Sequence, residues 1–250
     1  MVSSLPSILW MSVFADVPAP AGDRALDYWE RVTGAARGEP AGTGGEFIPL
    51  IPAGGDRFVW VQRVDRDAGG WHLDLHVPSA ADATGPALDA GARVVRERES
   101  LVTLESPAGQ PFCLVDESRP GRRRPVPSTW RDGRRSLVDQ LCIDIPADRF
   151  EAECDFWAGL TGWPRAGADL GEFERLQVPT RLPIRILLQR LGGDDRGGIR
   201  AHVDMSCDER TAETARHQSF GGSVELRAEH WTTLRDPVGL TYCITDRGVG

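Results

Sequence analysis

The stretch that decides the fold is "DVPAPAGDRALDYWERVTG", residues 16–34, because it is written again without a gap as "DIPADRFEAECDFWAGLTG", residues 144–162. Asp27, Trp29, Thr33 and Gly34 fall on Asp155, Trp157, Thr161 and Gly162. Outward from this pair the match continues in order. "WVQRV" (60–64) answers "LLQRL" (187–191), and "HLDLHV" (72–77) answers "HVDMSC" (202–207). "DAGARV" (89–94) parallels "SFGGSV" (219–224), and "LESPAGQPFCLVD" (104–116) parallels "LRDPVGLTYCITD" (234–246). Self-similarity at a nearly fixed spacing marks a tandem architecture. Two homologous halves are predicted, 1–118 and 135–250, and 250 residues suffice for two cores of ordinary size. Residues 119–134 are rich in Pro and Arg, have no hydrophobic period and read as a solvated linker.

Each half reads as two strand–helix–strands modules. In the second half a strand over "LVDQLCIDIP" leads to Asp148, a candidate N-cap with Glu151 three residues on as a capping box. Phe150, Cys154, Trp157 and Leu160 then recur at helical spacing, and Gly162 supplies the stop. The second module runs from "IRAHVDMSC" through a helix over "DERTAETARHQSF" to three strands. The first half repeats the plan, with Gly85–Pro86 predicting a short or irregular second helix. The order βαβββ–βαβββ implies helices on one side of mixed sheets, an α+β fold.

Strand side chains alternate, so His72, Asp74 and His76 share one face and Leu73, Leu75 and Val77 the other. His202, Asp204 and Ser206 repeat that face in the second half. A polar mid-sheet face suits a small-molecule site. His72 and His202 can be read as acid/base or ligand groups, or as His–Asp pairs that satisfy buried polar groups. Gln62 and Gln189, on neighbouring strands, allow the same two readings. Cys113 and Cys243 can be read as nucleophiles activated by a nearby His, or as small core residues. Trp10, Trp60, Trp71 and Trp231 lie on strands that could line a cavity or fill a core.

The bulk composition excludes some classes. No run of about 18 apolar residues is present, so no membrane span is expected. Net charge is −8, which disfavours a general nucleic-acid binder. The five cysteines form no CxxC pair, which fits free thiols in a reducing, cytoplasmic compartment. All the basic side chains are Arg, a compositional trait carrying no functional reading.

The ordered fragments "DYWERVTG" and "DFWAGLTG", "QRV" and "QRL", "HLDL" and "HVDM", and "SPAGQPFC" and "DPVGLTYC" make both halves resemble the vicinal oxygen chelate superfamily. That superfamily includes glyoxalase I, bleomycin-resistance proteins and extradiol dioxygenases, and the actinobacterial glyoxalase-like branch is the nearest in pattern. The resemblance implies two tandem domains, each of two βαβββ modules forming a cupped sheet with helices outside. It also implies where a metal would be held: a His or Gln on the first strand, a His on the fifth, a Glu on the eighth. Those positions fall on Ser12 and Gln140, on His72 and His202, and on Cys113 and Cys243. The carboxylate is missing from the eighth strand, and hard ions prefer oxygen donors. No cofactor is therefore expected, with a Gln140–His202–Cys243 zinc set as the remaining option for a divalent metal.

The leading expectation is a protein holding a small organic molecule, aromatic ones included, in a cupped cavity without metal, for sequestration, resistance or metal-free catalysis. The alternatives are a metal-dependent lyase, isomerase or dioxygenase, and a non-catalytic regulator or scaffold. His202 and His72 are the candidate catalytic residues. Gln140, Asp204, Arg200, Gln189, Cys243, Asp74, Gln62, Cys113 and Trp10 are the candidate ligand contacts, with the second half the richer in polar groups. A monomer or homodimer is expected.

Overall fold

The computed structural model describes residues 5–119, 121–168, 170–195 and 197–249. The first half contains β1 (Trp10–Pro18), α1 (Gly22–Thr33), β2 (Ala36–Arg37), β3 (Phe47–Ile51) and β4 (Val59–Val64). It continues with β5 (Gly70–Val77), α2 (Ala80–Asp89), β6 (Arg93–Arg98), β7 (Leu101–Glu105) and β8 (Pro111–Asp116). After a two-residue β9 (Ser128–Thr129), the second half repeats the series. It runs β10 (Arg135–Ile145), α3 (Phe150–Thr161), β11 (Arg165–Gly167), β12 (Phe173–Leu176) and β13 (Arg185–Arg190). It then runs β14 (Arg200–Cys207), α4 (Arg210–Ser219), β15 (Ser223–Arg227), β16 (Trp231–Arg235) and β17 (Thr241–Thr245).

Two sheets follow the sequence halves. Their strand orders are β2-β3-β4-β1-β5-β8-β7-β6 and β11-β12-β13-β10-β14-β17-β16-β15, with β9 paired to β10. The order is the same in both, which is the βαβββ–βαβββ plan read from the repeats. The strand before the helix pairs in parallel with the last strand of its module, as β1 does with β4, β5 with β8 and β14 with β17. Packing groups the chain differently. One compact unit comprises the described residues of Met1–Ser12, His72–Arg122 and Leu141–Ala201; the other comprises those of Val13–Trp71, Arg123–Gln140 and His202–Gly250. Each unit thus holds one module from each half.

The helices form for the reasons their sequences supply. In α1, Ala25, Leu26, Tyr28, Trp29 and Val32 make one buried stripe. In α3, Phe150, Cys154, Trp157 and Leu160 do the same. Both helices stop at a left-handed glycine, Gly34 at φ 68° and Gly162 at φ 69°.

Three local expectations need correction. Asp148 does not cap α3; the amide of Arg149 bonds back to the Pro146 carbonyl in a turn, and no side chain caps the helix. Glu151 is used instead to pair with Arg165 and Arg190. Gly85–Pro86 does not shorten α2, which has ten residues like α4. Ser79 starts it firmly by accepting from the Asp82 amide. The linker is also less solvated than its composition suggests. Ser128 and Thr129 pair with β10, and the Ser128 hydroxyl donates to the Thr33 carbonyl. Trp130 lies under the Arg216 guanidinium, 3.5 Å from its ring centroid. Pro120, within the same segment, lies outside the described residues.

Candidate functional site

The helix-free face of β5 and β8 is fixed by what the opposite face does. Phe112 on β8 points into α3, with ring centroids 5.8 Å from Phe156 and 5.3 Å from Trp157. Its neighbour Cys113 therefore points away from the helix. Parallel pairing sets Leu73 beside Phe112 and Asp74 beside Cys113. The second half has the same register, with Val203 beside Tyr242 and Asp204 beside Cys243. His72, Asp74 and Cys113 bring an imidazole nitrogen, a carboxylate oxygen and a sulfur within 4.8 Å of one another. His202, Asp204 and Cys243 do the same.

Both clusters are buried. Asp74 is 5% exposed, Asp204 4%, and neither His72 nor His202 exceeds 8%. One carboxylate oxygen in each half, Asp74 Oδ1 and Asp204 Oδ1, makes no hydrogen bond. The nearest cationic candidates are His72 Nε2 at 3.4 Å and His202 Nε2 at 3.3 Å. A buried carboxylate oxygen without a donor is costly, of order 1–3 kcal/mol, and its repetition in both halves makes it the feature of the site most in need of a ligand.

The two floors differ in their surroundings. Above the first, the Ser12 hydroxyl lies 3.0 Å from His76 Nε2, and His76 Nδ1 lies 3.6 Å from Glu117. Glu117 is bound by Arg122, whose guanidinium covers Trp10 at 5.5 Å. Burial holds the His76 imidazole below its usual value. Burial also pushes the Glu117 carboxyl up, but bonds from Arg119 and Arg122 outweigh it and hold the group low. Trp10 thus serves as the plate under Arg122. In the second half Gln140 donates to Asp204 Oδ2 at 2.5 Å and accepts from Arg247. Arg247 also grips Asp139 at 2.8 Å. Gln140 therefore orients the carboxylate, while the buried Oδ1 makes no hydrogen bond.

Other sequence candidates go elsewhere. Arg200 is paired with Asp195 at 2.8 Å and with Asp144 at 3.5 Å, and is half exposed. Gln189 accepts the Cys142 thiol at 3.7 Å. Gln62 sits on β4 opposite Phe47. Trp71 lines no polar face: it packs edge-on against Trp29 and donates its indole N–H to the Thr241 carbonyl. Alternation explains this, since Trp71 has the parity of Leu73 and not of His72. Trp60, in contrast, stacks on Phe14 at 5.5 Å and remains partly exposed.

The thiol of Cys113 is pushed up to about 11, first by burial and then by the Asp74 charge, against its hydrogen bonds with His72 and Thr103. At neutral pH it is an S–H, which opposes an activated nucleophile. All five cysteines are free and buried. His76, Glu117, Arg122, Asp139 and Arg247 join the two floors without having been singled out by sequence as site residues. For His76 the strand alternation was a usable signal. Glu117, Arg122 and Arg247 lie in irregular chain beyond the last strand of each half, where no periodicity points at them.

Comparison with known proteins identifies the family and the fold. The family profile of the glyoxalase-like domain matches twice, over residues 12–115 and 140–245. No curated protein sequence matches the chain. Among solved structures, a Mn(II)-bound glyoxalase from Novosphingobium aromaticivorans superimposes with a TM-score of 0.64 at 14% identity, covering 96% of this chain and 83% of that one. An extradiol ring-cleaving dioxygenase from B. fuscum gives a TM-score of 0.64 at 14% identity, with 99% and 74% covered. A xylose isomerase-like TIM barrel/4-hydroxyphenylpyruvate dioxygenase fusion protein gives 0.61 at 13% identity, and this chain spans half of its length while 99% of this chain is covered. At these identities the likeness is one of fold, the vicinal oxygen chelate fold. Among the described residues no helix is long and apolar enough to cross a membrane.

Proposed function

Because the chain belongs to the family of glyoxalase-like domains, we propose that it holds a small oxygenated organic molecule against the helix-free floors of its two sheets. The floors are His72–Asp74–Cys113 and His202–Asp204–Cys243. The observation that carries this reading is the buried carboxylate oxygen without a hydrogen-bond donor, present at the same place in each half. A bound hydroxyl would satisfy it. His72 and His202 stand within reach to hold or pass a proton to the same molecule. The protonated thiol of Cys113 acts as a weak hydrogen-bonding wall there rather than as an attacking group. The second floor is the better organised, since Gln140 and Arg247 already hold Asp204 in place.

Calorimetric titration of the full chain with a panel of small hydroxyl- and carbonyl-bearing aromatic and aliphatic compounds tests the reading. Saturable binding that is lost in a His72→Ala/His202→Ala double variant is the expected result. A panel with no saturable binder, or a binder indifferent to both substitutions, removes it. Turnover of a bound compound separates an enzyme from a carrier.

A further inference from the structure

One cluster, above the first floor, has no counterpart above the second. Ser12 on β1 and His76 on β5 stand on neighbouring strands, and the Leu9 amide donates to the His76 carbonyl at 2.8 Å. The Glu117 amide donates to the Val77 carbonyl at 2.8 Å, which holds the chain leaving β8 beside the same strand. The Ser12 hydroxyl thus lies 3.0 Å from His76 Nε2, and Glu117 Oε2 lies 3.6 Å from His76 Nδ1. Glu117 is held in turn by the Arg122 guanidinium and by the Arg119 amide at 2.8 Å. The Nε–H of Arg122 is buried without an acceptor, a spare donor in the same cluster. Ser12 is 1% exposed and Glu117 7%, while the His76 side chain, at 12%, is the member that solvent reaches. All of these residues belong to one compact unit.

The repeat shows that the fold does not require this arrangement. The equivalent positions in the second half are Gln140, Ser206 and Arg247. There Gln140 turns to Asp204, Arg247 to Gln140 and Asp139, and Ser206 donates to the Leu137 carbonyl. The same place is closed without a hydroxyl–imidazole–carboxylate series. A hydroxyl on one imidazole nitrogen and a carboxylate facing the other is the arrangement that activates an alcohol as a nucleophile. The 3.6 Å separation is longer than a hydrogen bond, and such contacts are often loose without substrate and tighten when it binds.

We propose that Ser12, His76 and Glu117 form an acyl-transfer site that hydrolyses a small ester bound on the first floor. Ser12 Oγ bonds to the acyl carbon as its proton passes to His76 Nε2. The ester C–O bond breaks, and the alcohol leaves with that proton. Water then gives its proton to the same nitrogen and its oxygen to the acyl carbon. The Ser12–acyl bond breaks and Ser12 takes the proton back. Ester and water become carboxylic acid and alcohol, with no change of oxidation state. Glu117 is a positioning residue, which fixes the imidazole and offsets its charge while it holds the proton. The carbonyl oxygen gains charge in both steps, and a spare N–H such as that of Arg122 is the kind of donor that stabilises it. The proposal deepens the proposed function at the first floor and rests on it for the place of the substrate.

The test treats the full chain with methanesulfonyl fluoride, a small reagent for activated hydroxyls. Ser12 Oγ should displace fluoride, and peptide mass spectrometry should find one methanesulfonyl group, on Ser12. Hydrolysis of p-nitrophenyl acetate should fall to the background rate in the labelled protein and in Ser12→Ala. His76→Asn should slow the labelling of Ser12 by roughly 100-fold or more. Glu117→Gln should lower the maximal labelling rate by roughly 10-fold or more. The reagent concentration that gives half that rate should stay unchanged, a split that a purely structural contact would not produce. Should a variant fail to fold, the adduct on the wild-type chain still decides. A Ser12 that stays unlabelled, labelling directed to other hydroxyls instead, or labelling indifferent to His76→Asn overturns the proposal. Panel compounds that bind while Ser12 stays unlabelled would leave the proposed function standing without acyl transfer. Labelling of Ser12 in a chain that binds no panel compound would do the reverse.

Discussion

Where α3 and α2 cover β8, the contact is made by Phe156, Phe112, Ala87 and Ala83; at the repeat-equivalent positions, where α1 and α4 cover β17, stand Tyr28, Tyr242, His217 and Glu213. The ring geometry is nearly unchanged, with centroids 5.8 Å apart for Phe112 and Phe156 and 6.2 Å for Tyr28 and Tyr242. The chemistry is opposite. Tyr28 bonds Tyr242, Tyr242 bonds His217 at 2.9 Å, and His217 bonds Glu213 at 3.2 Å. Glu213 is also bound by Arg216, which caps the end of α1 through the Arg31 and Val32 carbonyls. The indole N–H groups show the same freedom. Trp29 donates to Asp236 in the β16–β17 turn, while Trp157 donates to Glu153 on its own helix. Where one compact unit has Glu153 and Ser106, the other has Ala25 and Asp236. A helix–sheet contact can thus be closed by oil or by a complete polar network, provided that every buried group is partnered. The helix-free floors, by contrast, keep His, Asp and Cys in both halves and leave an oxygen unpartnered in each. Packing has diverged and the floor has not, and that contrast supports the proposed function.

The largest effect on this comparison is expected from Glu213→Ala. It strands Arg216 and His217, at a cost of about 3 kcal/mol at neutral pH. Burial raises the Glu213 carboxyl, but bonds and charge from His217 and Arg216 outweigh it and hold the group at about 2, below the usual 4.5. Its contribution is therefore complete above about pH 4.5 and is lost as pH falls toward 2. His217 is also held low, by burial, so its neutral form loses stability in the same direction as acid is added. Denaturant titrations should show wild type and variant converging across that acid range; a difference that stays constant with pH would contradict the network.

A smaller loss, about 2 kcal/mol, is expected for Asp236→Ala, which leaves the Trp29 indole and the Val238 and Leu240 amides without their acceptor. Glu153→Ala should cost a similar amount, and adding Ser106→Asp should recover part of it by moving the carboxylate back to the turn. No recovery in the double variant breaks the equivalence of the two arrangements. Gly222→Ala comes next, at about 1.5 kcal/mol. A Cβ there would collide with the Tyr28 hydroxyl and stand 3.1 Å from that of Tyr242. The equivalent residue in the first half is Ala92, facing a partner without a hydroxyl. Tyr28→Phe should therefore relieve much of the Gly222→Ala loss in a thermal melt. Trp130→Ala is the mildest, below about 1 kcal/mol, because its contact with Arg216 is a cation–π pair.

The repeat made the modules, the helix stripes and the glycine stops legible in the sequence, because periodicity and left-handed stops are local properties. The face shared by His72, Asp74 and His76 was legible for the same reason. That Asp74 meets Cys113 was not, since register across a parallel pair depends on a crossover of some forty residues. The eighth strand therefore read as lacking a carboxylate, while Asp74 on the neighbouring strand lies directly beside that position. The Trp130 contact was hidden by a composition that is hydrophilic on average.

Imidazole resonances offer the most direct test that the floors, and not the helix-packed network, carry function. The chain has five histidines. In a ¹⁵N-labelled sample titrated with a compound that binds in the calorimetric panel, the ring nitrogens of His72 and His202 should shift while His217, held between Tyr242 and Glu213, stays in place. Movement of His217 with His72 and His202 unchanged would contradict the assignment.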